Sequence, residues 1–252
     1  KSGQAQAETT VSENDVTLGL TKAIDAMSAK AGTDLSWKDM VASSSAAGGL
    51  RMTVHGLVHE MTVKAAKEAA LGAGANIKMV TSGVLSSYDL DEITAISPNI
   101  ILLAGGVDYG EKNTVLSNAG LLAESGLKIP VIYAGNVAVR GQVSSILEKA
   151  GMTVFAVDNV YPRIDQLNVE PTRAVIQDVF EKHITEAPGM SKIRSLVTGR
   201  IIPTPGAVML GAKLLQSALG DLVVIDVGGA TTDIHSVTEG SFENTSKAIA
   251  PE

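Results

Sequence analysis

The residues best suited to chemistry lie between Leu222 and Val237, in Leu-Val-Val-Ile-Asp-Val-Gly-Gly-Ala-Thr-Thr-Asp-Ile-His-Ser-Val. Asp226, Gly228, Gly229, Thr231, Thr232 and Asp233 put two carboxylates, two glycines and two hydroxyls into eight residues. Glycines let a backbone approach a ligand closely, and a turn of bare N–H groups cradles phosphate. Carboxylate and hydroxyl oxygens suit Mg²⁺, a hard cation. An ordinary tight hairpin needs the glycines but has no use for both aspartates. These residue types are therefore the ingredients of a loop that holds phosphate through backbone N–H groups and Mg²⁺ through oxygen.

A strand must carry Asp226, and the β-branched run Leu222–Ile225 reads as a buried one, with a second strand running through Val237. Upstream, Gly206 to Leu219 forms a small-residue helix that Gly220 ends, and Pro203-Thr-Pro205 is a rigid connector. Helices are also expected at Glu170–Ile184, entered through Pro171, and at Ser191–Val197. From about His59 to Val157, strands alternate with helices. Strands are expected at 76–81, 99–104, 129–134 and 153–157, and helices at 61–73, 87–96, 113–125 and 137–150. Such alternation implies right-handed crossovers and a parallel sheet. Before it come a short strand over Gln4–Val11, a helix capped by Ser12, Asn14 or Asp15, a strand over Met40–Ala42 and another over Arg51–Val54.

A second cluster, Ser43-Ser-Ser-Ala-Ala-Gly-Gly49 before Arg51, reads as a strand leading into a small-residue loop. Ser45, Gly48 and Gly49 would let phosphate approach, with Arg51 adding charge. The competing reading is a tight helix–sheet contact that needs small side chains. A third group follows successive strands: Gly83, Gly105-Gly106-Val-Asp108, Gly135-Asn136 and Asp158-Asn159. A parallel sheet brings them to one carboxyl edge, where open α/β folds bind ligands. Glycine and asparagine also end strands for conformational reasons alone. His55 and His59 have i, i+4 metal spacing, but Gly56 weakens a helix there. Asp233-Ile-His235 has the start of an Asp-x-His-x-x-Gly cobalamin signature, yet Thr238 occupies the glycine position.

Composition excludes several classes. The chain has 252 residues, 45% hydrophobic and 19% charged, enough for one large domain or two smaller ones. A net charge of −7 and 3% aromatics argue against nucleic-acid partners. Absence of cysteine removes disulfide and thiolate-metal readings and fits a reducing, cytoplasmic setting. No membrane span or signal peptide is expected.

The Leu222–Val237 stretch resembles the second phosphate motif of the actin, heat-shock chaperone and sugar-kinase superfamily of ATPases. Ser43–Met52, Ile101–Gly106, Leu167-Asn-Val-Glu-Pro171 and Pro203-Thr-Pro205 narrow the resemblance to the MutL family, from about Thr9 to the last residue. That family is encoded beside adenosylcobalamin-dependent mutases such as glutamate (methylaspartate) mutase, and shares only a name with the mismatch-repair protein. The resemblance implies ATP and Mg²⁺ as ligands, mutase subunits as partners, and a protecting or reactivating role. The glycines and threonines would contact the β- and γ-phosphates, and Asp226 would hold Mg²⁺ directly or through water. It further implies a partial actin-like (ribonuclease H-like) α/β framework with a Rossmann-like insertion. On that division residues 1–56 belong to the first ATPase lobe, 57–160 to the insertion, and 161–252 to linker helices and the start of the second lobe. The superfamily's first phosphate hairpin and adenosine-binding glycine pair are not recognisable, so a fragment with weak or no nucleotide binding by itself is expected. A small-molecule kinase, an ATP-dependent hydrolase and a nucleotide-independent interaction module stay open as alternatives, and a homo-oligomer is allowed.

Overall fold

The computed structural model describes residues 3–13, 15–45, 50–185, 189–228 and 232–238. Its centre is a five-stranded, all-parallel sheet built from β2 (Arg51–Gly56), β3 (Asn76–Ser82), β4 (Ile100–Leu103), β5 (Val131–Tyr133) and β6 (Val154–Ala156). The spatial order is β3-β2-β4-β5-β6. The chain steps outward once, from β2 to β3, then returns past β2 and continues the other way. That reversal places the connecting helices on both faces. Helices α2 (Lys64–Gly72) and α6 (Glu170–Thr185) cover one face, and α3 (Ser87–Ile96), α4 (Asn113–Glu124) and α5 (Arg140–Lys149) belong to the other.

Cross-strand register explains the two cores. Met52 pairs with Ile100 and Val54 with Leu102, and all four lie in the α2/α6 core. Ile101 and Leu103 point the other way, into the α4/α5 core with Val131 and Tyr133. Ile100 to Leu103 are wholly buried, as expected of a central parallel strand covered on both sides. Capping is also local chemistry. Ser86 accepts a hydrogen bond from the Asp89 amide at 3.2 Å while the Ser86 amide donates to Asp89 Oδ2 at 2.7 Å, a reciprocal cap that starts α3.

The sheet takes in residues 51–156, so the strand expected to precede the α/β alternation is one of its inner members. Arg51–Gly56 is too short and too broken by Thr53 and His55 to announce a buried strand, and only its pairing with β3 and β4 gives it that position. No strand forms over Gln4–Val11; a 3₁₀ turn covers Val11–Glu13 and α1 spans Thr17–Ala31. Asp15, one of the three candidate caps, accepts from the Thr17 amide at 2.9 Å.

The remaining elements form a smaller assembly. Strand β1 (Ala42–Ser44) pairs in parallel with β7 (Ile201–Pro203), and Gly189 leads into α7 (Met190–Leu196). Pro203 is therefore the end of a strand, and Thr204 opens α8 (Thr204–Leu219) with Pro205 in its first turn, where a missing N–H costs nothing. The hairpin of β8 (Leu222–Val227) and β9 (Thr232–Val237) completes the described chain.

Candidate functional site

The β8–β9 hairpin is antiparallel, and its register pairs Asp226 with Asp233 and Val227 with Thr232. Both carboxylates therefore stand side by side on one face, one residue pair below the turn. Thr232 and Gly228 flank that turn and are exposed. Gly229 and Thr231 lie outside the described residues. Two like charges directly opposite each other destabilise an antiparallel pair unless a cation or donor lies between them. Such a pair has a use as a cation ligand.

Alternation along the strands defines two faces. Leu222, Val224, Asp226, Asp233, His235 and Val237 form the more buried one. It lies against α8, which contacts both strands. Val223, Ile225, Val227 and Ile234 form the other, and they are 61–74% exposed. The run Leu222–Ile225 is thus half-covered rather than buried, because a two-stranded ribbon has a helix on one side only. The short Gly220-Asp221 connection turns β8 back along α8. A helix of 16 residues is about 24 Å long and a strand of six about 20 Å. The tip with Asp226 and Gly228 consequently heads toward the start of α8, the end that follows β7.

Strand β1 adds the second expected cluster to the same end. Ser43 and Ser44 pair with Ile202 and Pro203, so Ser45 leaves β1 where α8 begins, and it is exposed. Gly48 and Gly49 lie outside the described residues. Two stretches far apart in sequence, one hydroxyl-rich and one carboxylate-bearing, thus share α8 as a common support. His235 lies diagonally below Asp226, opposite Val224, and its Nε2 is buried with no hydrogen-bond partner among the described residues.

The carboxyl edge of the large sheet has a different character. Asn136 is fully buried, and its side-chain oxygen accepts from the Tyr109 and Ala138 amides, both at 2.9 Å. Its side-chain nitrogen donates to the Glu111 carbonyl at 3.0 Å and the Gly110 carbonyl at 3.3 Å. Asn159 Nδ2 donates to the Gly106 carbonyl at 3.0 Å and Asp108 Oδ1 at 2.9 Å, and Asp108 Oδ1 also accepts from the Val137 amide at 2.9 Å. The loops after β4, β5 and β6 are stitched to one another by these side chains. A methyl on Gly106 would stand 2.8 Å from the Glu111 carbonyl oxygen, and one on Gly135 would collide with the Gly105 amide. Gly106 and Gly135 therefore have a packing reason of their own, which is closeness of backbone to backbone, and Gly105 faces the Val115 side chain. Sequence reading placed these residues on one edge and missed the stitching, since no local signal distinguishes an asparagine that ends a strand from one that ties its loop to the next.

The histidine pair does not form a metal site. His55 is in the middle of β2, fully buried, between Thr81 Oγ1 at 2.8 Å and Thr53 Oγ1 at 2.9 Å. Burial pushes its pKa down to about 4, so it is neutral. His59 begins a π-helical turn, His59–Val63, and is exposed. The i, i+4 rule fails because the strand ends between them. Among the described residues no group of three or more metal-ligating side chains assembles, and no helix is long and apolar enough to cross a membrane. The hairpin tip supplies the carboxylate pair that could hold Mg²⁺ together with substrate oxygens and water, as that ion commonly requires, while Thr232 stands on the opposite face of the ribbon beside Val227.

A family model described as MutL protein matches residues 2–252. A curated relative named Protein MutL, from Clostridium tetanomorphum, is 44% identical over 238 residues, covering 92% of this chain and 52% of that protein. The chain thus spans about half the length of this relative. Among solved structures, a sugar isomerase domain of an RpiR transcription factor from Sphaerobacter thermophilus matches 57% of this chain and 76% of its own, at 17% identity. Its TM-score of 0.30 is too low for it to bear on the fold.

Proposed function

The chain belongs to the MutL protein family, and on that premise we propose that it is the nucleotide-handling part of an accessory protein for an adenosylcobalamin-dependent mutase such as glutamate mutase. The observation that carries the nucleotide reading is the hairpin register, which sets Asp226 beside Asp233 and Thr232 beside Val227 at a glycine turn. In this reading Asp226 holds Mg²⁺, directly or through water. Asp233 shares the metal's hydration shell, and Gly228, Gly229, Thr231 and Thr232 contact the β- and γ-phosphates. Ser45, Gly48 and Gly49 approach the phosphates from the β1 side. Bound Mg²⁺ supplies neutralisation of phosphate charge. The chain's own part is to place oxygen ligands and backbone donors before the ligand arrives, so that little reorganisation is spent on binding.

A partial actin-like framework accommodates this arrangement, with the large parallel sheet as its Rossmann-like addition. Gly105 and Gly106 enter as a secondary ligand edge only where Glu111 and Asn136 shift from their present contacts. The mutase assignment rests on the family resemblance, and its test is functional. Full-length protein with ATP and Mg²⁺ is expected to restore an inactivated mutase, while protein without nucleotide is not. Phosphate transfer to a small metabolite with no effect on the mutase would favour a kinase instead, and mutase rescue without nucleotide an interaction module.

A further inference from the structure

The segment α8–β8–β9 shows apolar side chains to solvent in a concentration found nowhere else among the described residues. Eight of the nineteen exposed large apolar residues fall between Leu210 and Ile234, including Leu210, Leu214, Leu219, Val223, Ile225 and Ile234. Helix α8 carries a single charge, Lys213, in 16 residues, and a helix apolar on all sides is normally buried. Its last two turns are nevertheless open, with Leu214 75% and Leu219 72% exposed. The hairpin repeats the pattern, since four of the six residues on its face away from α8 are valine or isoleucine, with Thr232 and Ser236 the other two. Among the described residues neither β8 nor β9 has a further strand on its outer edge. Two-stranded ribbons with open edges and an apolar face are marginal alone and prone to pair with other strands. Helix and hairpin together have the composition of an inner layer of a larger fold.

We infer that the outer face of the β8–β9 hairpin is a docking surface for polypeptide of the same protein lying outside residues 1–252, which lays apolar side chains on Val223, Ile225 and Ile234 and adds a strand to the ribbon's open edge. The occupant is argued from length. The 44% identical relative has nearly as many residues again beyond its match to this chain. A second copy of the chain is the competing occupant. This inference does not depend on nucleotide binding, because it uses only the face opposite the carboxylates.

The cysteine-free sequence makes a direct test available. Single-cysteine variants Ile225→Cys, Val223→Cys and, as a control on helix α3, Tyr88→Cys are labelled with a thiol reagent. Each is placed in the 252-residue chain and in that chain joined to the remainder of the relative. All three are expected to label rapidly in the 252-residue chain. In the longer protein, Ile225→Cys and Val223→Cys are expected to slow by about tenfold or more, as for groups reached only through local opening, while Tyr88→Cys is unchanged. Equal rates in both contexts would overturn the inference. So would protection in the monomeric 252-residue chain, or protection that follows its concentration together with dimerisation seen by sedimentation. Should the joined protein not fold, adding the remainder as a separate chain gives the same readout. Protection of Ile225→Cys then supports the inference, and none refutes it.

Discussion

The carboxyl edge of the large sheet and the tip of the β8–β9 hairpin share a vocabulary of glycine, asparagine or aspartate and short turns, yet their physics is opposite. At the sheet edge the polar atoms are spent on the protein itself. Asn136 uses all its hydrogen-bonding capacity on four backbone groups, and glycines are required because backbones touch. At the hairpin, two carboxylates oppose each other, Gly228 and Thr232 are exposed, and one face is largely apolar and open among the described residues. Glycines and acids thus mean stability where they tie the protein's own loops together, and point to a ligand where two carboxylates are brought side by side near a glycine.

The sharpest way to break this comparison is to disturb both regions alike. Asn136→Leu leaves four part-buried backbone groups without their side-chain partner, each costing about 1 kcal/mol. The expected loss is about 3–5 kcal/mol, read by denaturant unfolding. A variant as stable as the parent would mean that the stitching is incidental.

Next in size is the buried histidine of the sheet. The folded-state pKa of His55, about 4, lies below its ordinary 6.5, so the unfolded chain takes up the proton first as pH falls. Stability from neutral His55 is complete above pH 6.5 and is lost progressively toward pH 4, by about 3 kcal/mol. His55→Gln keeps hydrogen-bonding capacity and should flatten that part of the pH profile. Thermal melts of both proteins between pH 4 and 7.5 give the comparison, and parallel profiles would count against the assignment.

The hairpin should answer differently. Gly228 is exposed, so the effect of Gly228→Val on unfolding of the 252-residue chain is expected to stay within about 1 kcal/mol. In full-length protein the same substitution should weaken nucleotide binding by about two orders of magnitude, equivalent to losing one or two charge-assisted hydrogen bonds. Normal nucleotide affinity would make the loop a plain turn.

The smallest effect concerns the ion pair that ties α1 to α7. Lys192 donates to Asp15 at 2.6 Å and, with Thr17, holds the Asp15 carboxyl down to about 2. Its contribution is present above pH 3.8 and disappears as pH falls through about 2. Being on the surface, it should matter little. Lys192→Ala should move the melting temperature barely, and less at high salt, where a large shift would reveal a structural role.

Helix and strand alternation from residue 59 to 157 was legible because each element follows its own periodicity and is punctuated by glycine. Ser87–Ile96 and the start of α6 at Glu170 follow directly from cap and proline rules. Pairing was not legible. Nothing local tells Arg51–Gly56 that it will stand between β3 and β4, or Ile201–Pro203 that it will pair with Ala42–Ser44, more than 150 residues earlier. The hairpin's chemistry was readable from residue types, whereas the exposure of Ile225 depends on what does not pack there. Likewise the glycine edge gave its position in the sequence but not its use, since Asn136 acts through Gly110 and Glu111, some 25 residues away.

The account turns on whether the tip of β8–β9 takes a magnesium nucleotide. Calorimetric titration of ATP with Mg²⁺ into full-length protein and its Asp226→Asn variant tests this most directly, with the 252-residue chain alongside. Binding should require Mg²⁺ in the parent, fall by about a hundredfold in Asp226→Asn at an unchanged melting temperature, and be weak or absent in the 252-residue chain. Equal affinity of parent and variant, or micromolar binding by the 252 residues alone, would contradict it and move the site elsewhere on the molecule.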